Sequence, residues 1–273
     1  MSEKKESYAR DRVSFGLVAS AAVLTLIVIV GILVYVGGDD EPGAQAGGAS
    51  IVDGPAAEGF AEPDADIFGR RVDIPNNPAG QPLPQDPEGQ ATPSDPDWLT
   101  AAPAGTRQPR GWQRVYGASV PFSTSDGPTR IEDGLAVGYS HTPQGAVLAA
   151  AQITYRLNAR PADRDLYVRQ VRVSAQQIAA YDRALEADRL PQQQPENVTK
   201  YFVASDAFKI DDYADDMAIV RLATRAQVVD GKQLWVAMRM IMVWDAGDWR
   251  LKPTTSQNPP AEYIESLQGW TAW

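Results

Sequence analysis

The chain of 273 residues has one histidine, His141, and no cysteine. Lack of cysteine excludes disulfides, thiolate nucleophiles and cysteine metal sites. A histidine serves as a general base only when it is enclosed and oriented by a partner. His141 stands just before Thr142-Pro143, a helix start signal, and so reads as a turn residue. Asp211-Asp212-Tyr213-Ala214-Asp215-Asp216 concentrates carboxylates that could hold a calcium ion. It lacks the spaced Asp-x-Asp-x-Asp-Gly series with a terminal Glu, so a solvated turn is the reading adopted. Arg156, Arg160, Arg164, Arg169 and Arg172 could form a stripe for DNA or an anionic glycan. Asp163 and Asp165 dilute that stripe, which reads instead as a solvated helical face. No phosphate-cradling glycine loop and no Gly-x-Ser-x-Gly elbow occurs. The expectation is a non-enzyme with no catalytic residue, no metal and no cofactor, and without direct nucleic-acid binding.

The elements around these residues divide by composition. Residues 1–12 form a mixed-charge stub with Lys4, Lys5, Arg10 and Arg12. Residues 13–36 read as a transmembrane helix, because Phe15 to Val36 contains no charged residue and about twenty apolar residues cross a bilayer. Phe15, Leu17, Val18, Leu24, Ile27, Ile29, Leu33 and Val36 would face the lipid or neighbouring helices, and Gly16 and Ser20 have the spacing of a small-xxx-small packing motif. Basic residues before the span and Asp39, Asp40 and Glu41 after it place the N-terminus in the cytoplasm and the bulk of the protein outside. Ala44-Gln45-Ala46 resembles a signal-cleavage site, but the apolar run is far longer than a signal h-region, so an uncleaved signal anchor is expected.

Residues 37–110 read as a disordered Pro/Gly/acidic linker. Over residues 37–109 three basic side chains face thirteen acidic ones, with twelve of the 21 prolines. Such a segment buries too little apolar surface to offset its ordering entropy. As a coil it would average about 45 Å end to end. Ile67-Phe68-Gly69-Arg70-Arg71-Val72 is its one apolar-basic island, able to dock on a partner or on the domain itself.

Residues 111–273 read as one α+β domain. Trp112 to Tyr139 suggests short strands, with turn signals at Ser125-Asp126-Gly127-Pro128 and Asp133-Gly134. Thr142-Pro143 opens a helix that Arg160-Pro161 ends; a second covers about 162–171, and Ser174 with Gln177 forms a capping box for a third. From residue 200 the period becomes two: strands over 201–210, 217–229, 234–244 and 249–253, with tight turns at Asp230-Gly231 and Asp245-Ala246-Gly247-Asp248. Tyr263, Leu267, Trp270 and Trp273 have amphipathic helical spacing, and either pack on the sheet or contact a partner.

Helices followed by long antiparallel strands and a closing Gly247-Asp248-Trp249-Arg250-Leu251 strand resemble the nuclear transport factor 2-like (cystatin-like cone) superfamily. The whole layout of stub, span, linker and outer domain resembles the single-span inner-membrane scaffold of type IV secretion and conjugation systems (TcpC type). That resemblance implies a structural subunit of a cell-envelope complex whose partners are the cytoplasmic membrane, other subunits and further copies of itself. Mce-associated proteins share the layout, which implies as the alternative a binding module for a lipid or small apolar ligand.

Overall fold

The computed structural model describes residues 58–253 and 261–273. The expected membrane span, from Phe15 to Val36, lies outside the described residues, as do residues 37–57. Among the described residues no helix is long and apolar enough to cross a membrane.

The elements run β1 (Asp64–Ala65), β2 (Arg71–Val72), β3 (Trp112–Val115), β4 (Ala118–Pro121), β5 (Arg130–Glu132), β6 (Leu135–Val137), α1 (Pro143–Ala159), α2 (Arg164–Gln170), α3 (Ala175–Glu186), α4 (Glu196–Thr199), β7 (Ala207–Ala214), β8 (Met217–Val229), β9 (Lys232–Asp245), β10 (Asp248–Lys252), β11 (Ala261–Ile264) and β12 (Thr271–Ala272). An α+β protein with a large antiparallel sheet results. Its strand order is β10-β9-β8-β7-β12, with β11 beside β9. Four two-residue turns, Tyr116-Gly117, Asp133-Gly134, Asp230-Gly231 and Ala246-Gly247, put both central residues at positive φ. That backbone matches the twist of the strands it joins, so each closes a hairpin.

One face of the sheet carries the core. Ala218, Val220 and Leu222 of β8 stand opposite Met242, Met240 and Met238 of β9, and all six are buried. Helix α1 lies on this face against β7, β8, β9 and β10, while its other side meets β4. All of its seventeen residues are consequently buried. Thr142 caps its first turn by accepting from Gly145 N at 3.0 Å. Two helix starts follow the sequence closely: Pro143 at the first position of α1, and a complete Ser174/Gln177 capping box on α3.

Three expectations need correction. The disordered linker expected over 37–110 does not hold from residue 58 on, where the chain forms an ordered arm. Of its apolar side chains, Val72, Ala79 and Leu83 are buried. Its backbone pairs with the domain: Asp73 N donates to Trp112 O at 2.9 Å, and Asp86 N to Thr124 O at 2.6 Å. Prolines need no donor satisfied, so a proline-rich arm can be held by few hydrogen bonds and few apolar anchors.

The C-terminal tail is not a helix but strands β11 and β12 joined by a turn. Gly269 at φ +76° breaks helical geometry, and pairing with β9 and β7 satisfies the backbone. Because β11 and β12 lie on opposite edges, residues 265–270 cross the sheet on the face away from α1, where Trp270 covers the Arg221 guanidinium at 5.2 Å. The first strand after the helices begins at Ala207 instead of 201. Before it, Phe202, Val203 and Ala204 are buried in irregular backbone, with Ser119 N donating to Phe202 O. The region from Trp112 to Tyr139 makes two separate hairpins, β3–β4 and β5–β6, outside the main sheet.

Candidate interaction surfaces

The residues that could have done chemistry are tied into the fold. Arg156 is 1 % exposed and has no carboxylate partner among the described residues. It donates to Gln152 Oε1 at 2.8 Å, Gly134 O at 3.0 Å and Ala79 O at 2.6 Å. Burial lowers its pKa from the ordinary guanidinium value. The stripe expected on a solvated face is therefore dissolved: Arg160 pairs with Asp163, Arg164 with Asp182, Arg169 with Asp133 and Arg172 with Asp245.

Asp126, 2 % exposed, accepts from Ser125 Oγ, Ser140 Oγ and Thr142 Oγ1, each at 2.6 Å. This buried carboxylate staples the loop before β5 to the start of α1. Asp211 and Asp212 belong to β7, and Asp211 pairs with Arg221 at 2.7 Å. Among the described residues no group of acidic or histidine side chains has the arrangement of a metal site.

The four tail residues part company. Trp273 is buried between Phe208 and Trp112, ring centroids 4.8 and 5.4 Å away, and its Nε1 donates to Ser205 Oγ at 2.9 Å. Its carbonyl accepts from Arg107 Nε. Trp270 and Leu267 are half-buried on the sheet, and Tyr263 alone is 62 % exposed.

Tyr263 sits opposite Val236, near the free end of the β8–β9 hairpin. The exposed Val228 and Val229 occupy that end, and Arg225 nearby stands over the Phe68 ring at 5.3 Å. Phe68 and Ile67, also exposed, come from the arm. The apolar-basic island has thus docked on its own domain: Arg70 bonds Asp206 at 2.5 Å and Ala204 O at 2.8 Å, and Asp206 also receives Arg225 and Trp235 Nε1. Ile67 and Phe68 thus lie by Arg225 on the sheet face away from α1, whereas the register puts Tyr263 in line with Val236 and Thr224 on the α1 face. Exposed large apolar side chains beside a basic group, as at Ile67, Phe68 and Arg225, mark a candidate contact surface.

A second surface lies where the β7–β8 and β9–β10 turns meet the start of α1. His141 is exposed and lies flat on Trp244, centroids 4.0 Å apart. Its Nε2 meets the Asp215 carbonyl. Trp244 meets the buried Trp249 at 5.2 Å, Tyr213 tilts onto Trp249 at 6.0 Å, and Trp98 meets Tyr213 edge-on at 5.9 Å. Sequence reading missed this cluster because its rings come from four distant segments; only His141 and the stretch holding Tyr213 were singled out for chemistry, and separately.

The fold is that of an α+β protein with a large buried core, and it exposes aromatic and apolar side chains on two surfaces. The chain belongs to the DUF8175 family, described as a domain of unknown function, whose model matches residues 73–272. That match begins within the arm, 38 residues before the boundary at 111 expected from composition. No curated protein and no solved structure matches the chain.

Proposed function

We propose that the protein is a non-enzymatic assembly subunit of a bacterial cell-envelope complex, a conjugation or type IV secretion channel, acting through protein contacts of its ordered region. The observation that carries the contact reading is the exposure of Ile67 and Phe68 beside Arg225, with Val228 and Val229 also exposed further along the same strand, β8. The apolar run from Phe15 to Val36 supports a membrane anchor with the domain outside. Four helices, α1 to α4, preceding the β7-β8-β9-β10 meander, with α1 laid on one face, support a nuclear transport factor 2-like cone. Cross-linking in native membranes tests the assignment. Recovery of transfer-channel subunits through a probe at position 228 or 263 is the expected result, and a protein that stays monomeric and unlinked overturns it.

The alternative, a lipid or small apolar ligand inside the cone, must displace Tyr155, Phe208, Leu222, Met238 and Met240, which fill the space between α1 and the sheet. Methionines in that set favour the alternative to this extent, since thioether chains repack easily around a guest. Native mass spectrometry of the purified protein would find the guest as a retained mass.

A further inference from the structure

We infer that the His141–Trp244 surface is a second docking site and that its occupant is a cationic, arginine- or lysine-bearing segment of a partner protein. The inference deepens the assembly reading by giving one partner's chemistry, at a surface separate from the hairpin end.

Trp98, Tyr213, His141 and Trp244 present rings that are half-buried or exposed, around the buried Trp249, and Leu99 beside Trp98 is 40 % exposed. The rings are held from below. Trp249 Nε1 donates to Ser140 O at 3.0 Å, Tyr213 OH to His141 O at 3.1 Å and Trp244 N to Asp216 O at 2.9 Å. Gln144 Nε2 ties Trp98 O to the first turn of α1 at 2.8 Å. A platform fixed in this way loses little side-chain freedom when something stacks on it.

The rim determines the sign of the occupant. Asp97, beside Trp98, and Asp215 and Asp216, in the β7–β8 turn that meets His141 and Trp244, are exposed, and no Lys or Arg among the described residues pairs with them. The basic groups at this end are already engaged: Arg172 and Arg250 both bind Asp245, at 3.2 and 3.3 Å, and Arg221 binds Asp211. Aromatic faces attract cations through their quadrupoles, and uncompensated carboxylates beside them reinforce the attraction. Guanidinium groups suit both, since they stack on rings and fork onto carboxylates.

The full-length protein titrated with an Arg-Gly repeat peptide, followed by tryptophan fluorescence and calorimetry, tests the proposal against an uncharged Ser-Gly repeat. Binding of the cationic peptide alone is expected. The triple substitution D97N/D215N/D216N, all at exposed positions, should weaken it about tenfold, and Trp244→Leu by a similar factor. Neutralising exposed acidic residues at the β8–β9 hairpin end, the other end of β8, in D230N/E265Q should leave affinity within about twofold, because exposed charges beyond a Debye length are screened. No binding, equal binding by the D97N/D215N/D216N protein, indifference to Trp244→Leu, or equal loss in D230N/E265Q would each overturn the site. Failure here alongside recovered transfer-channel subunits in the cross-linking experiment would reject this surface and leave the assembly reading intact.

Discussion

Arg156 shows how a residue's role depends on who reaches it. Its three acceptors are Gln152 four residues away, Gly134 O at 22 and Ala79 O at 77 residues' separation. Nothing local in the sequence announces the last two, so an arginine on an alanine-rich helix reads as a surface cation. The structure makes it the bolt between α1, the β5–β6 turn and the arm. Arg156→Met keeps much of the volume but strands those acceptors in the interior, where an unmade bond costs about 1–3 kcal/mol. Urea unfolding should show a loss of about 3 kcal/mol, while Arg164→Met, whose partner Asp182 is at the surface, should change stability by less than about 1 kcal/mol.

Tyr167 offers the opposite case. It is 1 % exposed, its ring stacks on Tyr181 at 4.2 Å, and its hydroxyl has no hydrogen-bond partner among the described residues. Burial raises its pKa to about 12. In the unfolded chain the phenol ionises near 10, so above that pH the unfolded state releases a proton that the folded state keeps. Stability therefore falls as pH rises from about 10 to 12, by up to about 1.4 kcal/mol per pH unit for each such group. Tyr139, Tyr155 and Tyr181 are shifted the same way by burial. Tyr167→Phe should equal or exceed the natural protein in stability at neutral pH and flatten the alkaline limb of a pH–stability curve; a steeper limb would refute the assignment.

At the scale of elements, what was legible is what is chemically local. Thr142-Pro143, the Ser174/Gln177 box and the Xaa-Gly turns each satisfy their own backbone within a few residues, and the structure places helices and hairpins where those signals stand. The long strand β8 and its hairpin partner could be read from alternation alone. The tail could not, because spacings of four, three and three among Tyr263, Leu267, Trp270 and Trp273 imitate a helical stripe. Its true partners, β9, β7 and the β3 residue Trp112, lie far back in the chain. The cross-sheet row Lys209, Arg221 and Arg239 is another such case. Like charges directly opposite repel, and Asp211, Glu262 and the Trp270 ring all converge on Arg221 to offset this. Trp273→Ala should cost about 3–5 kcal/mol, the usual penalty for emptying a buried tryptophan site, read as a lowered midpoint in thermal or urea unfolding. Tyr263→Ala, at an exposed site, should leave that midpoint within about 0.5 kcal/mol.

For the whole molecule, the arm decides where the domain starts. Composition put the boundary at 111, since prolines and acidic residues predominate before it. The arm's anchors escape that criterion because they are few: three apolar side chains, the Arg70–Asp206 pair and a set of backbone bonds. A protein trimmed to begin at residue 111 should lose cooperative thermal unfolding and expose apolar surface to a hydrophobic dye. One beginning at residue 58 should retain a sharp transition. Equal behaviour of the two would mean that the arm is an ornament on a self-sufficient core.

The union of Arg107 with the Ala272 and Trp273 carbonyls spans 165 and 166 residues. During synthesis the arm emerges early, yet the strand and tryptophan it grips emerge 165 and 166 residues after Arg107. Contacts of such sequence separation close slowly, so the early-made half must wait, unsealed, for the late one. A nascent chain stalled before β12 should accordingly remain open to proteases and export factors, and sealing at Trp273 becomes a checkpoint that registers the completion of the domain.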